Sequence, residues 1–333
     1  MPQALVVREF GGPEALVVAD VPELVPAPGE VVVDLRAAAL NRRDLRVVAG
    51  GWPGVSAPLV PGSDGAGIVR ALGSGVGGIS EGDEVVIQPG IDWGDDPRVL
   101  GPGFKILGGP DDGTFAEQVR VPAVNVFARP ARLDWQQAAA LPLAGLTAWR
   151  ALFTRGRLTS GQTVLILGAG AGTSTLAVQF ARAAGARVLV TSSSAEKIAR
   201  SVELGAEAGF DYGAEGWEQE VVEHSGGGVD LVVDSAGTWQ SSVACVRAGG
   251  RVVVFGSTVS PTTELDVRAY YFRQIDLVGT MMGSPLDFRA MLRACGTQTW
   301  TPVVDSARPL AQAGDALRRM AAGEHFGKLV LTT

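Results

Sequence analysis

The sequence predicts an α/β protein that joins a β-barrel-like domain to a doubly wound parallel sheet. Runs rich in β-branched residues, separated by glycine and proline turns, fill the first third of the chain, which is typical of a compact β domain. Short apolar runs then alternate with helical patterns, which is typical of a parallel sheet covered by helices. A glycine cluster between the first of these runs and its helix supports the second prediction.

Composition limits the classes of protein that the chain can belong to. It has 333 residues, 46% of them hydrophobic, which is enough to form two cores. Its net charge of −7 and the absence of a lysine or arginine run argue against a nucleic-acid partner. No stretch approaches the roughly 18 consecutive apolar residues of a membrane span, and no secretory pattern is present. With Cys245 and Cys295 as the only thiols, we expect a soluble cytoplasmic protein without a membrane partner.

The first domain is expected to cover residues 1–128 and to be all-β. Its predicted strands are Ala4–Val7, Leu16–Asp20, Glu30–Ala37, Gly65–Leu72, Glu84–Gln88 and Ala116–Val121. The glycine-rich and proline-rich segment Pro89–Gly113 predicts a long irregular lobe. A helical region then runs to about Thr154, with Asp134 as a predicted N-cap and Pro142 at the start of a second segment.

The second domain is expected to cover residues 129–283. Its predicted strands are Thr163–Leu167, Arg187–Thr191, Gly209–Asp211, Leu231–Asp234, Gly250–Phe255 and Asp276–Gly279, with helices in the intervals, the first over Thr175–Ala184. Two further helices, Pro285–Cys295 and Ala311–Ala321, precede a last strand at Lys328–Thr332. The pattern does not place that strand in the parallel sheet, so residues 284–333 are interpreted as completing the first domain.

The turn after the first parallel strand is the strongest local signal of a ligand. It reads Gly168, Ala169, Gly170, Ala171, Gly172, Thr173 and Ser174. Glycines at such a turn let the backbone approach a ligand, and the following helix offers free N–H groups to a pyrophosphate. The strict G-x-G-x-x-G spacing is not met, because Thr173 stands where the last glycine would fall. A turn that only reverses the chain is the alternative.

Seven short motifs are spread over nearly the whole chain: Asn41–Asp44, Pro61–Val69, Gly82–Val85, Gly113–Glu117, Leu146–Ala148, the turn at Gly168, and Gly327–Lys328. In these motifs the chain resembles the medium-chain dehydrogenase/reductase superfamily. The resemblance implies a GroES-like β-barrel domain followed by a Rossmann domain that binds a nicotinamide cofactor.

The departures from the family's zinc pattern are informative. Zinc alcohol dehydrogenases of this superfamily carry Cys where this chain has Asn41, His-Glu where it has Ser63 and Asp64, and often Cys at Leu143. A catalytic zinc needs about three such ligands, and the structural zinc needs four cysteines, of which the lobe has none. We therefore expect no metal. The resemblance then implies the zinc-free quinone-oxidoreductase-like branch, which reduces quinones or α,β-unsaturated carbonyls with NADPH.

Residues after the second parallel strand favour NADPH over NAD. An NAD site presents an acid about 20 residues beyond the glycines, whereas this chain has a run of serines that does not repel a 2′-phosphate. The resemblance implies phosphate contacts from Ser192, Ser193, Lys197 and Tyr212. Two other interpretations stay open: Ser193 and Glu196 fit a helix capping box, and Lys197 fits a solvated helix charge.

The resemblance also implies further site residues. The remaining cofactor contacts are expected at Thr147, Ser235, Phe255, Gly256, Ser257, Met281, Met282 and Lys328. Catalytic roles are expected for Asn41, Asp44 and Thr147. Each of these residues also has an alternative role in packing or in a turn.

The expected reaction is hydride transfer from NADPH to a quinone or to an enone β-carbon. Negative charge then develops on the carbonyl oxygen, and the Asn41 amide or a backbone N–H is expected to stabilise it. No side chain stands out as proton donor, so solvent or the cofactor ribose hydroxyl is expected to serve. The alternatives are a zinc-free alcohol or aldehyde dehydrogenase and a non-catalytic NADPH-binding protein. By analogy, a homodimer is expected to form along Asp276–Gly279 or the residues just after it.

Overall fold

The computed structural model describes all 333 residues, which form two compact units. The first unit comprises residues 1–144, 284–297 and 301–333, and the second comprises residues 145–283 and 298–300. The predicted boundary after residue 128 therefore differs from the observed one. The reason is the helix Trp135–Ala140, which packs on strands of the first unit.

Seventeen strands and ten α-helices make up most of the two units. The strands are β1 (Gln3–Val7), β2 (Leu16–Asp20), β3 (Glu30–Ala39), β4 (Asp64–Leu72), β5 (Glu84–Ile87), β6 (Gly90–Ile91), β7 (Lys105–Ile106), β8 (Gln118–Pro122), β9 (Val126–Ala128), β10 (Thr163–Ile166), β11 (Arg187–Ser192), β12 (Ala208–Asp211), β13 (Val229–Asp234), β14 (Val246–Val254), β15 (Asp276–Gly279), β16 (Val304–Pro309) and β17 (Lys328–Thr332). The helices are α1 (Arg42–Val48), α2 (Trp135–Ala140), α3 (Pro142–Trp149), α4 (Gly172–Ala183), α5 (Ala195–Glu203), α6 (Trp217–Ser225), α7 (Trp239–Cys245), α8 (Val267–Arg273), α9 (Pro285–Thr297) and α10 (Ala313–Ala321).

The first unit is built on a seven-stranded sheet in the order β16-β17-β3-β4-β5-β9, with β8 also paired to β3. Alternate residues of β3 and β4 pack inward with β5 and β8, as expected for strands that bury one face. The last strand, β17, pairs antiparallel with β3 and places Val330 opposite Ala39. This pairing confirms the predicted return of the chain to its first domain.

The prediction that residues 1–128 are all-β is wrong at α1, and the short 3-10 helices Pro13–Ala15 and Ala123–Asn125 also lie in this range. Helix α1 follows β3 directly, and Asp44 in its first turn accepts a hydrogen bond from the backbone N–H of Asn41 at 2.7 Å. With seven residues, α1 is too short to show a clear helical period. The segment Pro89–Gly113 is irregular as predicted, apart from the short β6–β7 pair.

The second unit contains a six-stranded parallel sheet in the order β12-β11-β10-β13-β14-β15. The strand order reverses direction between β10 and β13, which is where doubly wound sheets bind their ligands. Helix α4 begins at Gly172, three residues before the predicted start, because the last glycine of the turn is already the first residue of the helix.

Helix ends follow local capping rules. The Asp134 side chain accepts from the Gln137 N–H at 2.8 Å, which confirms its predicted role as N-cap of α2, and α3 begins at Pro142. The N-cap of α5 is Ser194, not Ser193 as the capping-box interpretation required, since Ser194 Oγ accepts from the Lys197 N–H at 3.3 Å. No helix combines the length and the apolar character needed to cross a bilayer.

Candidate active site

The glycine turn after β10 has the backbone that a phosphate-binding turn needs. Gly168 and Gly170 adopt φ of 76° and 95°, a region that favours glycine. The neighbouring strand holds the turn, because Thr191 Oγ1 accepts from the Gly168 N–H at 3.3 Å and Thr191 O accepts from the Ala169 N–H at 2.7 Å. Ser174 Oγ donates to Gly168 O at 2.8 Å, so this hydroxyl stabilises the turn from within.

The start of α4 is open to an anion. Its N-cap is Ala171, which has no side-chain acceptor for the first N–H groups of the helix. Those groups belong to Gly172, Thr173 and Ser174, and a helix start without a cap carries unsatisfied donors and a partial positive charge. The turn and the helix together therefore fit the pyrophosphate of a dinucleotide.

The serines after β11 are brought next to Tyr212. Ser193 Oγ and the Tyr212 hydroxyl lie 3.0 Å apart on the surface, whereas Ser192 is buried and accepts from the Ser194 N–H at 3.2 Å. Lys197 lies in the first turn of α5. The structure thus gathers the four predicted residues around the end of β11. Sequence reasoning missed Ser194, the cap that fixes α5 behind them.

The ends of β13 and β14 approach the glycine turn. A Cβ on Gly168 would lie 3.7 Å from Ser235 Oγ, and a Cβ on Gly256 would lie 2.1 Å from Ser235 O. Glycine at position 256 is therefore required for these two loops to pack together. The fully buried Asp234 accepts from the N–H groups of Ala236 and Gly237 at 2.7 and 2.8 Å. The sequence analysis placed Asp234 at the end of a predicted strand but assigned it no role.

The other predicted cofactor residues lie at the ends of β14 and β15. The Phe255 N–H donates to Asp234 O at 3.1 Å, and Ser257 is exposed. Met281 is exposed, whereas Met282 is buried with a φ of 42°, a strained conformation for a methionine. In the second unit, Thr147 on α3 is buried.

A buried polar cluster forms where β3, β4 and β17 begin or end side by side. The Lys328 ammonium, 4% exposed, donates to Leu40 O and Asn41 Oδ1 at 2.7 Å and to Asp64 Oδ2 at 2.9 Å. The strand register brings Asp64 close to Leu40 and Asn41, because Asp64 is opposite Ala39 in the β3–β4 pair. A buried lysine of this kind is tolerated only with paired charge and full hydrogen bonding.

Asp64 accepts hydrogen bonds on both carboxylate oxygens. Its Oδ1 accepts from the Leu143 N–H at 2.7 Å, and its Oδ2 accepts from Asn41 Nδ2 at 2.9 Å as well as from Lys328. The second hydrogen of Asn41 Nδ2 has only Ala39 O, at 3.5 Å, which is at the long limit of a hydrogen bond. That hydrogen is therefore weakly held compared with the other donors of the cluster.

Arg43 and Asp44 form the second part of the cluster. Arg43 donates to Ser63 Oγ at 2.7 Å and to Leu107 O at 3.0 Å, and its guanidinium lies 4.6 Å from the Trp52 ring centre. Burial lowers the pKa of Arg43. Burial likewise raises the pKa of Asp44 to about 6, and the charge of Arg43 offsets only part of that effect. Asp44 is fully buried and holds the Asn41 backbone, so it positions the start of α1.

The donors at this place do not fit a catalytic zinc. The four positions with family ligands hold Asn41, Ser63, Asp64 and Leu143, which together offer one carboxylate. That carboxylate already accepts from Lys328, Asn41 and the Leu143 backbone. Nowhere in the chain do three His, Cys, Asp or Glu side chains come together in a way that could hold a metal.

Comparisons with known proteins place these features in context. A family model described as an alcohol dehydrogenase GroES-like domain matches residues 27–131, and one described as a zinc-binding dehydrogenase matches residues 172–296. The chain is 36% identical to a zinc-type alcohol dehydrogenase-like protein of Schizosaccharomyces pombe, covering 91% of each chain. It is 30% identical to rat (Rattus norvegicus) quinone oxidoreductase, covering 94% of this chain and 92% of the relative. The crystal structure of an NAD-dependent alcohol dehydrogenase matches with a TM-score of 0.94 at 38% identity over 99% of each chain.

Replacing Asp44 by asparagine is expected to change how stability depends on pH. The folded pKa of Asp44, about 6, lies above the ordinary value of 3.8, so the folded protein binds this proton more tightly than the unfolded chain. The protonated Asp44 carboxyl therefore adds its full contribution to the free energy of unfolding at low pH. This contribution is lost as pH rises through the folded pKa. Relative to Asp44→Asn, the wild type should lose on the order of 1–3 kcal/mol of unfolding free energy between about pH 4 and about pH 7.

Urea denaturation at both pH values measures this difference. The exposed Asp95, replaced by asparagine in the same way, serves as the control for losing a carboxylate. Parallel stability curves for wild type and Asp44→Asn would show that the Asp44 pKa is not raised.

Proposed function

Since the chain belongs to the medium-chain dehydrogenase/reductase superfamily and is an oxidoreductase of that family, we propose that it reduces quinones or α,β-unsaturated carbonyls with NADPH and without zinc. The observation that carries the proposal is the Lys328–Asp64–Asn41 cluster, in which Asn41 and Asp64 stand at positions where the resemblance to zinc alcohol dehydrogenases implies Cys and Glu. A carbonyl substrate then needs an organic hydrogen-bond donor, and the cluster contains one in the Asn41 amide.

The cofactor would lie along the carboxyl edge of the six-stranded sheet. The N–H groups at the start of α4 would bind the pyrophosphate, and Gly168 and Gly170 supply the turn that lets it approach. Ser193 and Tyr212 present two neighbouring hydroxyls for a 2′-phosphate, with Lys197 in the first turn of α5. No carboxylate stands at the end of β11 to favour a free ribose hydroxyl, which supports NADPH over NADH.

In the proposed reaction, NADPH supplies the hydride when bound. The weakly held hydrogen on Asn41 Nδ2 would donate to the substrate oxygen as it becomes negative. Asp44 would contribute by fixing the Asn41 backbone, since its carboxylate is fully buried. No side chain of the cluster is assigned as proton donor, so the proton would come from solvent or from the cofactor ribose hydroxyl.

Two other functions compete with this one. The neighbour with a TM-score of 0.94 is an NAD-dependent alcohol dehydrogenase, which favours a zinc-free alcohol or aldehyde dehydrogenase as the second candidate. Such an enzyme would need the same Asn41 donor to polarise its carbonyl. A non-catalytic NADPH-binding protein is the third.

Purified protein treated with a metal chelator is expected to oxidise NADPH with 1,4-benzoquinone at an unchanged rate, with sub-stoichiometric zinc by elemental analysis. The physical reason is that the one available carboxylate is already engaged. Alcohol oxidation that depends on stoichiometric zinc would support the dehydrogenase instead. Binding of NADPH without turnover on quinones, enals or alcohols would support the non-catalytic protein.

Replacing Lys197 by alanine is expected to raise the Michaelis constant for NADPH about tenfold, because a charge-assisted hydrogen bond to the 2′-phosphate is lost. The constant for NADH should stay nearly unchanged. Steady-state kinetics with both cofactors measure the effect, and Arg200→Ala on the same helix is the matched control for loss of positive charge. Equal effects of Lys197→Ala on both cofactors would contradict the assignment.

A homodimer joined along β15 is also proposed. This strand is one of the two edges of the parallel sheet, and an edge strand pairs readily with another strand. Sedimentation is expected to return twice the 34.4 kDa mass of the chain. Val278→Lys, which adds a charge to the edge, should shift the equilibrium towards monomer. A wild-type protein that sediments as a monomer would rule the dimer out.

A further inference from the structure

The proposed reaction gives no role of its own to the buried ammonium of Lys328. We infer that Lys328 is a positioning residue that orients and polarises the Asn41 amide, so that this amide acts on the substrate oxygen in place of a metal. The inference rests on the proposed carbonyl reduction and extends it to a residue that makes no contact with substrate or cofactor.

Hydrogen bonding accounts for every proton of the ammonium. An ammonium has three donors, and Lys328 has three acceptors at 2.7–2.9 Å, in Leu40, Asn41 and Asp64. No donor is left over for a cofactor phosphate. The positive charge of the ammonium is balanced as well, because the fully buried carboxylate of Asp64 lies 2.9 Å from it. Lys328 is therefore built into the first unit, and its expected role as a direct cofactor contact is replaced by this one.

The ammonium also decides which way the Asn41 amide faces. A flipped amide would set its NH₂ group against the Lys328 ammonium and its oxygen against the Asp64 carboxylate, and both contacts would repel. With Oδ1 on the cation and one Nδ2 hydrogen on Asp64, the second Nδ2 hydrogen has a fixed direction. An active donor is useful in catalysis only when its direction is set before the reaction.

Polarisation follows from the same contacts. A cation at the amide oxygen withdraws electron density through the conjugated amide and makes its N–H groups stronger donors, as in any chain of hydrogen bonds. The remaining hydrogen contacts only Ala39 O, at 3.5 Å, so a substrate oxygen can replace that weak acceptor. Through Asn41, the positive charge of Lys328 would thus act on the substrate without leaving its buried position.

The reaction stays balanced without any proton from Lys328. The hydride forms a new C–H bond on the substrate, the electron pair displaced by it moves to the substrate oxygen, and a proton from solvent completes the reduction. The cluster holds the developing charge by hydrogen bonding, and no bond in Lys328 or Asn41 is broken.

A double-mutant cycle in kinetics tests whether Lys328 acts through Asn41. Lys328→Met is expected to lower kcat on the order of tenfold or more while the Kd for NADPH stays within about twofold of wild type. Asn41→Ala should lower kcat at least as far, and adding Lys328→Met to it should cost nothing further. Additive losses, or an NADPH Kd raised about tenfold by Lys328→Met, would overturn the inference. Lys105→Met, at an exposed ion pair in the same unit, is the control for losing one lysine charge.

Stability has to be controlled because Lys328→Met leaves Asp64 buried without its cation. If that variant does not fold, the same cycle is run in an Asp64→Asn background, in which removal of the lysine leaves no uncompensated charge. The criterion is unchanged: Lys328→Met must have no effect on kcat once Asn41 is alanine.

A spectroscopic measurement separates this inference from the choice of substrate. The side-chain amide protons of Asn41, identified by their loss in Asn41→Ala, should resonate downfield in wild type and move upfield in Lys328→Met, with no substrate present. Unmoved resonances would overturn the inference. A protein that shows the shift but reduces no quinone or enone would instead contradict the proposed function. The polarisation of the Asn41 amide by Lys328 would still be supported.

Discussion

The ion pair between Lys328 and Asp64 is the contact on which the first unit and its proposed chemistry depend. It joins the start of β17 to the start of β4 across the end of β3, and these three strands are neighbours in one sheet. Burying two charges costs more than their attraction returns unless every remaining donor and acceptor is used. Here the Leu40 carbonyl, the Asn41 amide and the Leu143 N–H complete the set. The same hydrogen bonds that offset the cost of burying the ion pair hold Asn41 in one orientation.

The second unit reaches its proposed function by simpler means. A strand buried on both faces ends in a turn that needs positive φ at two glycines, and the helix that follows has no side-chain cap. Thr191 and Asp234, each at the carboxyl end of a neighbouring strand, hold the surrounding loops through backbone N–H groups. A surface of backbone donors is thereby formed, and it suits a pyrophosphate.

Much of this fold could be predicted from sequence because its signals are local. Strand positions in both units follow from β-branched runs, and the return of β17 is confirmed by its pairing with β3. Helix α1 could not be predicted because its seven residues are too few to show a helical period. The N-cap of α5 is one residue later than the capping-box interpretation placed it, because several serines follow one another there. The cluster was harder to foresee. Asn41 and Lys328 were each expected at the site, but they are 287 positions apart, and only the register of β17 on β3 brings them together.

The central claim is that the Asn41 amide, held in one orientation by Lys328 and Asp64, acts on the substrate oxygen in place of the metal of zinc-dependent relatives. A crystal structure of the NADPH complex, recorded with anomalous data at the zinc absorption edge, tests it most directly. The account predicts Lys328 Nζ between Leu40 O, Asn41 Oδ1 and Asp64 Oδ2, no anomalous peak beside Asp64, and the pyrophosphate at the start of α4. An anomalous peak on Asp64, with the Lys328 side chain turned away from Asn41, would contradict it.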